Sequence, residues 1–252
     1  WRPPSIHYYD LAIGDEGGKV YNLEDITADS WTDTDKLRLN RTLGLRSAGA
    51  IGDIVFLAGP SFNPAVNTEK DVNIFAFRNS ETPVFLGSYV LENYSNIRKW
   101  KEIDGHLYTT LTVASAIATN NVYGHVIKWV GTSEDPFLIG DGANAEPFVV
   151  IGLLPGGGAE LSEYGDDRMA VSTWPGGLDE DQGLPNPGSL DPDTLLATLQ
   201  KLQPGGIYIS APLSTEGLDP ANAASNFNEV FTFADYDPDQ IRSLTYGGGA
   251  LA

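Results

Sequence analysis

Cysteine is absent from the 252 residues, which excludes disulfides, zinc thiolates, iron–sulfur ligation and a cysteine nucleophile. A chain of this length buries roughly three quarters of its unfolded surface, so it needs no such staple to fold. Basic residues are scarce, 15 against 34 acidic ones, giving a formal charge of −19 and a pI near 4.3. A field of that sign repels phosphate and argues against nucleic acid and anionic membrane surfaces as partners. Charged residues make up only 19% of the chain, which reads as the surface of an exported protein. No run of about 18 apolar residues occurs, so no helix of the chain is expected to cross a bilayer. The chain also lacks an initiator Met and a signal peptide. Its opening Trp1-Arg2-Pro3-Pro4 reads as a processed or truncated end, and the closing Tyr246-Gly247-Gly248-Gly249-Ala250-Leu251-Ala252 as one that stops before a further strand. A content of 41% hydrophobic and 10% aromatic residues excludes a disordered chain.

What the chain does carry is an echo. Gly52-Asp53-Ile54-Val55-Phe56-Leu57-Ala58 is followed by a polar loop, by Val72–Arg78, and by Ser80-Glu81-Thr82-Pro83-Val84-Phe85-Leu86-Gly87. About fifty residues on, Asp104–Thr110 is followed by a loop, by His125–Val130, and by Ser133-Glu134-Asp135-Pro136-Phe137-Leu138-Ile139-Gly140. Phe77 aligns with Trp129. A degenerate third copy runs from Tyr164 to Thr173 and resumes at Glu229–Pro238, and a partial earlier one joins Asp10–Ala12 to Gly18–Leu23. Short β-branched and aromatic runs between Gly, Asp, Asn and Pro turns read as strands. A period of this size holding several strands is one blade of a β-propeller, a sheet that must stack on neighbours to bury its faces. Runs such as Ile54–Ala58, apolar throughout, suit a sheet covered on both sides. The fold expected is therefore all-β: one β-propeller domain over residues 1–252, with about four to five blades' worth of chain, or a part of a larger ring that a further segment or second chain closes.

Residues 81–89 (Glu-Thr-Pro-Val-Phe-Leu-Gly-Ser-Tyr) and 103–109 (Ile-Asp-Gly-His-Leu-Tyr-Thr) resemble the LVIVP-type β-propeller repeats of bacterial surface and secreted proteins. The likeness covers roughly residues 46–175. It implies a packing pattern, a propeller and a cell-surface setting, and names no substrate.

Residues 175–204, rich in Pro, Gly and Asp, read as a long loop insertion. Within it Asp191 caps a helix, Pro192 takes its first position, and Leu195, Leu196, Leu199 and Leu202 share a face, with Gly205 as the stop.

Few residues point to chemistry. Asp235, Asp237 and Asp239 place carboxylates at alternate positions, as calcium loops do. Pro238 and Gln240 stand where a glycine turn is expected, and Tyr246 where the closing Glu belongs. Calcium at this loop is the one cofactor the sequence suggests. His7, His106 and His125 lack a second His at helical or hairpin spacing. Gly156-Gly157-Gly158 and Gly247-Gly248-Gly249 lack the Lys-Ser/Thr of a phosphate loop and read as turns between blades. No Gly-x-Ser-x-Gly occurs. Trp174, beside the insertion, is the tryptophan placed to stack on a sugar, whereas Trp129 belongs to the core. Asn40-Arg41-Thr42 and Asn93-Tyr94-Ser95 are glycosylation sequons.

No catalytic residue is assigned. The leading expectation is a non-enzymatic, extracytoplasmic interaction module, such as a scaffold, adhesin or accessory subunit of a surface assembly with a protein partner. A carbohydrate hydrolase with acids lining a propeller channel, and a calcium-dependent carbohydrate or surface binder, are the alternatives.

Overall fold

A computed structural model describes residues 5–8, 19–22, 30–63, 68–80, 83–113, 123–138, 146–174, 205–214, 218–232, 246–247 and 250–251. The described residues are mostly β. A first hairpin pairs β1 (Ser5–Tyr8) with β2 (Lys19–Asn22), and helix α1 (Asp33–Arg41) follows. Three four-stranded antiparallel sheets come next, each a plain meander. Sheet 1 is β3 (Ser47–Ile51), β4 (Ile54–Asn63), β5 (Thr68–Arg78) and β6 (Val84–Glu92). Sheet 2 is β7 (Tyr94–Ile103), β8 (His106–Val113), β9 (Tyr123–Trp129) and β10 (Phe148–Pro155). Sheet 3 is β11 (Gly157–Tyr164), β12 (Arg168–Trp174), β13 (Gly206–Ser210) and β14 (Phe227–Thr232). A last hairpin pairs β15 (Tyr246–Gly247) with β16 (Ala250–Leu251).

The first turn of every sheet is made by the Gly/Asp pairs that the echo marks. Gly52, Asp104, Gly105 and Gly165 have φ of +56°, +49°, +71° and +62°, a region that glycine and aspartate enter at least cost. Phe77 and Trp129 lie in the third strand of sheets 1 and 2, as the alignment requires.

The sheets stack face to face. Ile54, Phe56, Ala58, Val72, Ile74 and Ala76 of sheet 1 are buried against Ile97, Trp100, Leu107, Leu111, Ile127 and Trp129 of sheet 2. Tyr108, Val126, Ile151 and Leu154 of sheet 2 are buried against Leu161, Met169, Val171, Tyr208 and Phe227 of sheet 3. The outer face of sheet 1 is covered from the α1 side: Trp31 stacks on Phe85 with centroids 3.8 Å apart, and Leu39 joins Phe75 and Phe77. Both faces of sheet 1 are thus buried, which is why β4 and β5 read as apolar without alternation.

Three readings are corrected. The Ser-Glu-x-Pro tail does not mark the same place in both copies. Pro83 leads into β6, but Pro136 and Phe137 form a turn inside the β9–β10 connection. There the Thr132 hydroxyl accepts from the Asp135 backbone N–H at 3.0 Å, and Trp129 donates its indole N–H to the Pro136 carbonyl at 2.7 Å. The fourth strand starts only at Phe148, after a second proline, Pro147. Likewise Glu229–Thr232 falls in the fourth strand of sheet 3; its third strand is Gly206–Ser210, displaced past the insertion. Among the described residues the first strands of the three sheets begin at Ser47, Tyr94 and Gly157, so the second interval is longer than the fifty-residue spacing expected. The helix expected at 191–202 and the insertion 175–204 lie outside the described residues. Helix α1 was not foreseen.

Candidate functional site

The first strands meet one another. β3 runs alongside β7 in the same direction: the Ser47 hydroxyl donates to the Arg98 carbonyl, and Gly49 faces Trp100 so closely that a Cβ there would lie 2.1 Å from Trp100 Cβ. β7 runs alongside β11 in the same way. Lys99 Nζ lies 3.7 Å from Glu160, and Lys101 Nζ 3.4 Å from Glu163. Because the three first strands are parallel, the connections between second and third strands all leave at one end. Trp174 closes β12 at that end, where its backbone pairs with Gly157. Gly124 opens β9 there, with Gly158 N only 2.7 Å from where its Cβ would stand.

This ladder of cations and carboxylates is the charged feature that the packing assembles. Arg98, Lys99 and Lys101 are three of the chain's 15 basic residues, set within four positions of one strand. Burial pushes the Glu160 carboxyl up from its ordinary value, only partly offset by the charges of Lys99 and Arg98. Glu160 is held between sheets by its backbone N–H, which donates to Ser172 Oγ at 3.2 Å. The Glu160 carboxylate and the Lys99 ammonium form a partly buried ion pair across the two sheets. Ion pairs across the first strands also fix the register of one sheet on the next.

The histidines do not converge. His106 opens β8, exposed, and burial followed by the Lys128 charge holds it below its usual range. His125 lies opposite Leu111 on β8, five residues from His106, or about 17 Å along a strand. It is mostly buried between sheets 1 and 2, and burial pushes it down to about 4. The Tyr94 hydroxyl lies 3.0 Å from His125 Nδ1. Burial pushes that phenol up to about 12, so it keeps its proton and donates it to Nδ1. His7 lies in β1, and nothing is described of its side chain.

Asp235, Asp237 and Asp239 lie outside the described residues, as does the side chain of Trp174. Among the described residues no three His, Asp or Glu side chains gather as a metal site would require. Of the sequons, Asn40 is exposed on α1. Asn93 is exposed at the turn between β6 and β7 with φ +67°. The Lys99–Glu160 and Lys101–Glu163 pairs were missed at the sequence level. The one signal for them was the clustered positive charge of Arg98-Lys99-Trp100-Lys101 in so acidic a chain.

No family model matches this sequence, and no curated protein matches it.

Proposed function

We propose that the chain is an arc of a β-propeller serving as a non-enzymatic, extracytoplasmic interaction module, a scaffold or accessory subunit of a surface assembly. The observation that carries the reading is the parallel packing of successive first strands, β3 on β7 and β7 on β11, with each sheet a four-stranded meander. Propeller blades pack this way around an axis, with first strands innermost. The likeness of residues 81–89 and 103–109 to LVIVP-type repeats supports the same architecture and a cell-surface setting. Lys99 and Lys101 are paired with Glu160 and Glu163 across two sheets, which suits a packing role. The net charge of −19 favours a basic partner surface.

Crosslinking the protein within the surface fraction of its native cells tests this. A defined partner should be joined reproducibly, with association weakening as salt rises. A monomer without a partner that turns over a glycoside, and loses that turnover in Glu160→Gln, would establish the hydrolase instead.

A further inference from the structure

We propose that Lys128, on the face of sheet 2 turned toward sheet 3, binds the carboxylate of a small monocarboxylic ligand, with Tyr108 and His106 as further donors. The placement follows from the register. Val126 is buried against sheet 3 and Ile127 against sheet 1, so Lys128 falls on the sheet 3 face with Val126. Tyr108 of β8 is its register partner, and Lys101 of β7 is the register partner of Tyr108, so the three share one row across the sheet. Residues paired in this way stand with Cβ atoms about 5 Å apart. His106 lies on the same face, its ring centroid 6.4 Å from that of Tyr108, and it is exposed beside the β7–β8 turn. The row therefore opens to solvent at that end.

The second observation concerns counter-charge. Arg38, Arg78, Lys101 and Arg168 are half-buried, and each meets an oxygen of this chain, from Ser88, Asp53, Glu163 and Ser210 respectively. Lys128 is half-buried too and meets none among the described residues. Burial holds its ammonium below the usual range, and no acid pulls the other way. Lys101 shows what an ammonium in this row takes, a carboxylate, and at Lys128 the carboxylate has to come from outside. Two neutral donors flank it. Tyr108, pushed up to about 12 by burial and then by the Asp104 charge, keeps its phenolic proton at neutral pH. His106, held low by burial and by Lys128, is uncharged there and has one ring N–H to give.

The same surroundings narrow the ligand. Ile103 pairs with His106 and Val149 with Lys128, so an apolar body beside the carboxylate finds apolar neighbours. One unpaired cation in a chain of formal charge −19 favours a single negative charge over the two of a phosphate ester. Asp104, whose charge reaches both His106 and Tyr108, opposes the ligand. The site is separate from the interaction role proposed above, and its failure leaves that role untouched.

Benzoate is the probe and benzamide its uncharged counterpart, followed by NMR of the full chain carrying isotopically labelled lysine, with Lys128→Arg assigning the Lys128 signal. Benzoate is expected to raise the pH midpoint of that signal, because a bound carboxylate favours the charged amine. Benzamide should not, the exposed Lys36 should not respond, and Lys128→Gln should lose binding. Asp104→Asn, which keeps a residue suited to φ +49°, should bind benzoate about two- to fivefold more tightly. An unmoved midpoint, an equal effect of benzamide, a shift shared by Lys36, or binding retained in Lys128→Gln overturns the site. Unchanged affinity in Asp104→Asn overturns it whether or not the Lys128 variants fold.

Discussion

Phe77 and Trp129 hold the same station in consecutive sheets: each is in the third strand, and each pairs with a phenylalanine at the start of the fourth, Phe85 in its second position and Phe148 in its first. They use the station differently. Phe77 faces outward, with Trp31 and Phe85. Trp129 faces inward, edge-on to Phe56 and Trp100 with centroids 5.5 Å away in both cases. Its indole N–H also ties the β9–β10 connection down at Pro136. Trp129→Ala is therefore expected to destabilise the fold by about 3–5 kcal/mol. Trp129→Phe should cost less, about 1–2 kcal/mol, chiefly for the Pro136 carbonyl left without its donor. Urea unfolding measures both; a loss under 1 kcal/mol for the alanine variant would remove Trp129 from the core.

Glycine at position 49 is required by space, not by conformation. A Cβ there meets Trp100 Cβ at 2.1 Å, so Gly49→Ala must push sheets 1 and 2 apart and should cost about 1–3 kcal/mol. At Gly105 nothing lies within 4 Å, but φ is +71°, and alanine should cost about 1 kcal/mol in backbone strain. Gly44 has neither constraint. Gly44→Ala should be neutral or slightly stabilising, because it restricts only the unfolded chain. Thermal melts of the three variants should rank in that order, and equal melting temperatures would refute the close approach of β3 to β7.

His125 makes stability depend on pH in a defined window. In the unfolded chain its pKa is near 6.5, whereas burial lowers it to about 4 in the fold. Between these values the unfolded state binds the proton and the folded state does not, so stability falls as pH falls from about 6.5 to about 4. The full difference is about 3 kcal/mol, and it grows no further below the folded value. His125→Gln, which can still accept from Tyr94, should lose correspondingly less stability than the parent between pH 7.5 and pH 4. Identical pH profiles in denaturant titrations would show that His125 is not buried as described.

Helix α1 depends on its first turn. Thr32 Oγ1 accepts from the Asp35 N–H at 3.2 Å, and the Asp35 carboxylate accepts in return from the Thr32 N–H at 2.9 Å. The same carboxylate accepts from Ser88 Oγ, while Arg38 donates to the Ser88 carbonyl at 2.8 Å, so the cap also anchors the helix on β6. Thr32→Ala should cost about 1–2 kcal/mol, and Thr32→Ser much less. Burial raises the Asp35 pKa, but the bonds from Ser88 and Thr32 and the charge of Arg38 outweigh it and hold the carboxyl below its usual range. The support it gives is therefore present above the ordinary carboxylate range and fades as pH drops through the lowered value. Near-ultraviolet circular dichroism of Trp31, stacked on Phe85, should report the loss.

The strands and their first turns were legible in the sequence because Gly-Asp turns and aromatic runs are local signals. The start of the fourth strand was not. Residues 135–138 and 146–149 both offer an acid, a proline and a phenylalanine, and the bonds from Trp129 to Pro136 and from Asp135 to Thr132 hold the first as a turn. Helix α1 escaped because it buries just Asp35 and Leu39, too little for an apolar stripe, although its capping box was in plain view. The Lys99–Glu160 pair joins residues 61 positions apart, and only the parallel approach of β7 and β11 brings them together.

Phe56 and Trp100 stack across sheets 1 and 2 with centroids 5.5 Å apart and planes 16° from parallel. A double-mutant cycle on Phe56→Leu and Trp100→Leu measures the face-to-face packing of successive sheets most directly. A coupling of about 0.5–1.5 kcal/mol is expected if the two rings bury each other. Additive losses, with coupling under about 0.3 kcal/mol, would mean that the sheets do not pack on one another in solution.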